Sequence, residues 1–296
     1  MVLFETDRQT TRIAVVGAGD VGAACAFACI MNHVAGEILL VDIKESFRDA
    51  QVLDLGDAAY RGSPSVRAGS YKEAGQCDIV VVTAGAKQKP GESRLQLIGR
   101  NIDILSTVIE GMKPFRKDTI LLLVANPVDV LTCFAQEVAG LPREQVIGSG
   151  TFLDSIRLRG KLSQKIGISQ NSIEAFVLGE HGDSQFVAWS LATVSDAVAE
   201  ACRNSAATII DGKGATSFGI GAIVSSICSA ILFDKRLVRP ISHWVPELDC
   251  CISLPENEAL EKSAATIRAV IADARKKIKV PLLEEIEAQK NKEGEA

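Results

Sequence analysis

The chain has 296 residues, of which 47% are hydrophobic and 23% charged, and it carries a net charge of −5. That length suits two lobes sharing an interface, and the composition is that of an ordinary globular protein. The acidic balance, with a pI near 5.4, excludes both the basic stripe of a nucleic-acid surface and a cationic face for anionic membranes.

In chain order, RIAVVG (12–17) reads as a short buried strand and DVGAACAFACIMNHV (20–34) as a helix. EILLVD (37–42) is a second strand and ESFRDAQVLDLGDAA (45–59) a second helix. DIVVVTAG (78–85) and TILLLVAN (119–126) are further continuous apolar strands, separated by a helix over 95–112, and EQVIGSG (144–150) supplies another, weaker one. Strands that do not alternate apolar with polar, each followed by a helix, are buried on both faces. The pattern predicts an α/β fold with a doubly wound parallel sheet over residues 1–149.

After residue 150 the rhythm changes, which predicts a second, α+β domain over 150–296. SIRLRGKLSQKIG (155–167) reads as helical, SIEAFVLGE (172–180) as extended and VAEACRNSAATIIDGKG (198–214) as helical. An apolar helix from Ile220, an extended DCCISLP (249–255) and a helix over 258–278 follow, and the charged tail from 283 reads as loose.

Eight cysteines, at 25, 29, 77, 133, 202, 228, 250 and 251, form no CxxC pair and have no histidine at ligand spacing. Buried, reduced thiols are expected, with no metal site. The polar opening MVLFETDRQTTR does not read as a signal peptide, and the longest apolar runs fall short of a bilayer span. A cytoplasmic location is expected.

The first strand runs into VVGAGDVG, which sets Gly17, Gly19 and Gly22 in GxGxxG spacing. Alone that spacing is weak, but here it leaves a strand and opens a helix, and Asp42 ends the second strand twenty residues beyond Gly22. Gly17 permits the tight turn, Gly19 lets backbone approach a pyrophosphate, and Gly22 lets helix and strand pack closely. The helix N-terminus offers unpaired N–H groups to phosphates. Asp42 accepts hydrogen bonds from ribose hydroxyls and repels a 2′-phosphate, so the expected cofactor is NAD rather than NADP.

Four further stretches carry chemistry: TAGAKQKPGESR (83–94), VANPVDVLT (124–132), GTFLDSIRLR (150–159) and GEHGDS (179–184). Together they resemble the L-lactate/malate dehydrogenase family, and its lactate branch most closely. The resemblance runs from residue 12 to about 190, resumes at KGATSFGIGA (213–222) and continues to the C-terminal helix. It implies reversible reduction of a 2-keto acid by NADH, pyruvate to L-lactate, in a homo-oligomer, by family habit a tetramer. It also implies cofactor contacts from Asp20 and Val21 in the glycine turn, from Thr83, Ala84 and Gly85, and from Asn126.

Reducing a 2-keto acid needs a proton for the carbonyl oxygen and an anchor for the carboxylate. His181, otherwise a turn histidine, is the candidate acid/base because imidazole titrates near neutrality. By resemblance Asp154, which could otherwise cap a helix, orients it. Arg157, three residues after Asp154 and so on the same helical face, suits bidentate carboxylate recognition. In isolation Arg94 reads as a solvated surface charge. The resemblance makes it part of a lid over 86–93 that brings it to the polarised carbonyl. The resemblance gives Asn126 a contact to substrate oxygen and cofactor, and Thr216 a place in the substrate pocket.

Gln88 separates the branches, since malate enzymes of this family carry arginine there to pair with a second carboxylate. A neutral glutamine favours pyruvate, with a malate or broader 2-hydroxy-acid dehydrogenase as the alternative. Arg159 matches an arginine through which fructose 1,6-bisphosphate activates many bacterial relatives, but Glu174 replaces their histidine, so no such activation is expected. Two stretches are shorter than the resemblance implies: the one near 193–205, leaving 34 residues between His181 and Thr216, and the one after 255. They leave the named residues in place but open a second alternative, a nucleotide-binding relative with impaired catalysis.

Overall fold

The computed structural model describes residues 10–61, 64–86, 94–192, 209, 212–246, 250–252 and 258–275. Six short strands form one sheet: β1 (Arg12–Val16), β2 (Glu37–Val41), β3 (Ser65–Ala68), β4 (Ile79–Val82), β5 (Ile120–Leu123) and β6 (Val146–Gly148). Their order is β3-β2-β1-β4-β5-β6 and every pairing is parallel. Helices α1 (Asp20–Met31), α2 (Glu45–Ala58), α3 (Tyr71–Ala74), α4 (Arg94–Met112) and α5 (Val128–Val138) lie between the strands in sequence. The sheet grows outward from β1 in both directions, so a crevice opens between the C-terminal ends of β1 and β4.

The strand sequences explain the two-sided burial. Ala14, Val16, Leu39, Val41, Val80, Val82, Leu121 and Leu123 pack on one face, against α4 and α5. Their neighbours Ile13, Val15, Ile38, Leu40, Ile79, Val81 and Leu122 pack on the other, against α1. With period-two side chains, both faces are dry only if successive positions are apolar, which β4 and β5 satisfy throughout and β1 and β2 satisfy after their first residue. Each fully buried Leu, Ile or Val contributes roughly 1.5–3 kcal/mol.

Beyond the sheet come α6 (Phe152–Ile166), β7 (Val177–Leu178), β8 (Phe186–Val187), α7 (Ser217–Leu232), β9 (His243–Val245), β10 (Cys250–Ile252) and α8 (Glu258–Arg275). Gly167, at φ +72, ends α6 in the left-handed conformation that costs glycine nothing. Antiparallel β7–β8 and β9–β10 pairs complete the described strands. Helix α7 packs along α1: a methyl group on Gly221 would lie 2.5 Å from the Ala24 carbonyl oxygen, and Ser225 donates to the Ala28 carbonyl at 3.1 Å. Gly148 and Ser242 exchange two backbone hydrogen bonds, which ties the chain before β9 to the end of β6.

Several elements differ from the sequence reading. Strand β3 was absent from it, because SVRA is an edge segment with a half-exposed, partly polar face. Helix α5 was also absent: VDVLTCFAQEV opens on alternating β-branched residues that read more like strand than helix. The extended stretch 172–180 shrinks to Val177–Leu178, since only those residues find a ladder partner. Most of the helix read over 198–214, both shortened stretches and the tail lie outside the described residues.

Cys25, Cys29, Cys77, Cys133 and Cys228 are free and buried. Burial pushes the Cys77 thiol up to about 11 and raises that of Cys25 still further. Among the described residues, no helix is long and apolar enough to cross a membrane.

Candidate active site

At the end of β1 the chain turns through Gly17, at φ +100, a conformation few other residues adopt. A methyl group built on Gly17 would lie 2.7 Å from the Ala84 backbone nitrogen. One built on Gly22 would lie 1.8 Å from the Gly17 carbonyl oxygen, so α1 approaches the turn only because no side chain intervenes. Nothing lies within 4 Å of the same construction on Gly19. The first and third glycines are therefore required by packing, whereas the second borders open space.

That space is a cavity of about 490 Å³ lined by Gly17, Gly19, Asp20, Asp42, Thr83, Ala84 and Gly85, with Ile43, Phe47 and Tyr71 as apolar neighbours. A second cavity, of about 300 Å³, runs past Asp20, Val21, Gly22, Thr83 and Gly85 to Asn101, Asn126 and Ala215. Shared lining residues make the two one elongated crevice at the C-terminal ends of β1, β4 and β5. An extended dinucleotide fits this shape, with the bare backbone at Gly19 and the α1 N-terminus beneath its phosphates.

Asp42 lines the crevice where β2 ends. Its carboxylate accepts from the Ala18 N–H at 2.8 Å and from the Lys44 N–H at 2.9 Å, which fixes the side chain against the glycine turn. Each oxygen retains further acceptor capacity for a ribose hydroxyl. Thr83 donates to the Gly17 carbonyl at 2.8 Å and locks the ends of β1 and β4 together.

These contacts make a prediction. Gly22→Ala is expected to lower both Tm and NADH affinity, because its methyl group meets backbone, an overpacking cost of about 1–3 kcal/mol. Gly19→Ala is expected to keep Tm while weakening NADH binding. Thermal melts beside NADH fluorescence titrations check this; unchanged affinity in both variants would place the nucleotide elsewhere.

Asn126 follows β5 and lines the second cavity. Its carbonyl accepts from the buried Asn101 side chain at 2.8 Å, while the Asn101 side-chain oxygen accepts from the Ala86 N–H at 2.8 Å. Asn101 thus bridges the loops after β4 and β5. The sequence reading missed it, because one amide inside an apolar helix looks like an ordinary surface position. Thr216 follows the lining residues Gly214 and Ala215 and stands at the N-terminus of α7.

The titratable cluster is tied to the chain just past Asn126, where Asp129 accepts the His181 backbone N–H. The His181 Nδ1 is 2.7 Å from Asp154 Oδ2, and Arg157 donates to Asp154 Oδ1 at 3.1 Å. Asp154 and Arg157 are one helical turn apart on α6, so a single carboxylate holds both the imidazole and the guanidinium. The Asp154 side chain is only 5% exposed, whereas that of His181 is 23% exposed.

Burial opposes the charged imidazole, but the hydrogen bond and charge of Asp154, helped by the charge of Asp129, raise the His181 pKa above its ordinary value. Burial likewise opposes ionisation of Asp154, yet His181 and Arg157 hold it below the usual carboxylate range. The pair therefore favours imidazolium with carboxylate.

Asp129, on the first turn of α5, accepts the His181 backbone N–H at 2.7 Å. The sequence reading missed it as well. The signal available was a carboxylate three residues after Asn126 in an otherwise apolar run. Arg159 donates to the Ala175 carbonyl at 3.1 Å and stacks over Phe176, and the charge of Glu174 acts on it. Residues 87–93, Gln88 among them, and the Arg94 side chain lie outside the described residues. Among the described residues no cluster of three or more His, Cys, Asp or Glu side chains could hold a metal ion.

Comparisons with known proteins give the chain's family. The lactate/malate dehydrogenase NAD-binding domain model matches residues 11–148, and the family's alpha/beta C-terminal domain model matches 151–201. L-lactate dehydrogenase A of Rhizopus oryzae is 45% identical over 260 residues, covering 83% of this chain and 81% of that protein. An L-lactate dehydrogenase of Clostridium botulinum is 39% identical over 259 residues, covering 80% and 81% respectively.

Among solved structures, a lactate dehydrogenase from a Medee basin deep-sea metagenome library superposes with a TM-score of 0.84 at 33% identity, covering 90% of this chain and 100% of that one. The minor L-lactate dehydrogenase of Enterococcus mundtii, in a ligand-bound form, gives 0.84 at 30% identity, covering 90% and 98%. Both matched family domains, together with this identity over four-fifths of the relatives' length, establish that the chain belongs to the lactate/malate dehydrogenase family of NAD-dependent oxidoreductases.

Proposed function

We propose that the chain is an NAD-dependent L-lactate dehydrogenase that interconverts pyruvate and L-lactate, with residues 1–149 holding the cofactor and 150–296 the substrate. The observation that carries this reading is the His181–Asp154–Arg157 cluster, which the Asp129 carboxylate ties to the chain three residues past Asn126. The nicotinamide, when bound, supplies or accepts the hydride. His181 gives its proton to the carbonyl oxygen during reduction and recovers it from the hydroxyl during oxidation. Asp154 orients the ring and favours its charged form.

Arg157 binds the substrate carboxylate through the donors that Asp154 leaves available. Arg94 approaches the carbonyl oxygen and offsets its developing charge, and Asn126 contacts the same oxygen and the cofactor. Thr216 borders the substrate's side group. Gly17, Gly19, Asp20, Val21, Gly22, Thr83, Ala84 and Gly85 cradle the cofactor, and Asp42 holds the adenosine ribose.

Substrate choice rests on Gln88, which offers no positive charge to a second carboxylate. A dicarboxylic keto acid would bury that charge unpaired, at a cost of several kcal/mol. Rapid loss of NADH absorbance is expected with pyruvate and slow loss with oxaloacetate. Gln88→Arg is expected to move the ratio of kcat/KM toward oxaloacetate by roughly tenfold or more. A ratio that does not move would show that this position does not select the substrate.

A homotetramer in the cytoplasm completes the reading.

A further inference from the structure

Two carboxylates reach His181, and the proposed mechanism uses only Asp154. The other, Asp129, is 2% exposed and stands on the first turn of α5, two residues after Pro127. Its Oδ2 accepts the His181 backbone N–H at 2.7 Å, across 52 residues of sequence. We propose that Asp129 is a positioning residue for the proton donor, its carboxylate fastening the main chain of His181 to the turn that carries Asn126. The inference rests on the reading of His181 as the acid/base.

The division of labour follows from what each carboxylate holds. Asp154, on α6, grips the imidazole and fixes its rotation. Asp129, on α5, grips the backbone and fixes where the ring starts from. The chain leaves β7 through Gly179, at φ +92, and enters a loop with few ladder bonds of its own. Without Asp129 the His181 N–H loses its acceptor and the loop one of its ties. A displacement of about 1 Å between reacting groups can cost on the order of a hundredfold in rate.

The surroundings show that this carboxylate is held at a cost. Burial pushes the Asp129 carboxyl up to about 6, opposed by the His181 N–H and the His181 charge, and reinforced by the charge of Glu180. His181 in turn faces Asp154, Asp129 and Arg157. Above a pH of about 6 the ionised Asp129 therefore adds its charge to that of Asp154 in favour of the imidazolium.

Asp129→Ala, Asp129→Asn and His181→Asn are compared with the wild-type enzyme, with active sites counted by NADH titration. The Ala variant is expected to lose kcat for pyruvate reduction by about a hundredfold, with NADH affinity kept and KM changed only a few-fold. The Asn variant keeps an acceptor for the N–H and is expected to recover at least about tenfold of that loss. Having lost the negative charge, it is expected to show the alkaline limb of its pH–rate profile at lower pH.

A merely structural role would lower Tm or the count of active sites, leaving kcat per site and the limb in place. A folded Ala variant with kcat within about threefold of wild type, or an unmoved limb in the Asn variant, overturns the proposal. The limb measurement decides the matter if the Ala variant does not fold. Near-wild-type turnover in His181→Asn would instead sink the acid/base reading itself. An inactive His181→Asn beside a fully active Asp129→Ala would sink this inference alone.

Discussion

Replacing His181 by asparagine is expected to lower the rate of pyruvate reduction by about 10²–10⁴-fold while NADH binds as before. Asparagine retains the backbone N–H that Asp129 accepts, so the loop keeps its tie and only the proton donor is lost. Stopped-flow absorbance at saturating NADH reads the rate, and fluorescence titration reads the binding. A variant that turned over near the wild-type rate would remove His181 from the chemistry.

The sign of the pH dependence follows from the pair. Reduction needs the imidazolium, so its rate holds while the ring is charged and falls as pH rises through the raised His181 pKa. Lactate oxidation needs the neutral ring and rises over the same range. Stability follows the same logic. The part carried by raised His181 is present below the ordinary histidine pKa and fades as pH climbs through the raised one. The part carried by lowered Asp154 is present above the ordinary carboxylate pKa and fades as pH drops through the lowered one.

Arg157→Lys is expected to raise KM for pyruvate by about 10²–10³-fold, because a point charge replaces a planar fork that makes two charge-assisted hydrogen bonds. The shorter ammonium also loses the geometry that now places a donor 3.1 Å from Asp154 Oδ1. Steady-state kinetics over pyruvate concentration checks this, with NADH affinity as the control. A KM within a few-fold of wild type would assign the carboxylate anchor to another cation.

The two faces of the sheet differ from the site in how plainly the sequence shows them. Val80–Val81–Val82 and Leu121–Leu122–Leu123 each fill both faces with unbroken apolar residues, and such runs are legible one segment at a time. SVRA at β3 carries no such signal, because an edge strand tolerates polar residues and becomes a strand only by pairing with β2. Helix α5 was obscured by its β-branched opening, and packing against β6 and α4 overrides that local preference.

The glycine turn and the residues His181, Asp154, Arg157 and Asn126 were legible because the first is a local spacing and the others stand in recognisable motifs. Asn101 and Asp129 stand in no such setting. Each is defined by what it reaches: Asn101 by the loops after β4 and β5, Asp129 by a backbone N–H far along the chain. A hydrogen bond across dozens of residues leaves no periodicity to read.

By itself, then, the sequence determined the layered α/β architecture, the choice of NAD and the types of group available for chemistry. All of these follow from local spacing, side-chain chemistry and family motif. Only the tertiary structure decided that one buried carboxylate serves both imidazole and guanidinium, and that a second one holds the imidazole's backbone. Those arrangements depend on how α5, α6 and the loop after β7 converge, and convergence is a property of packing between distant segments.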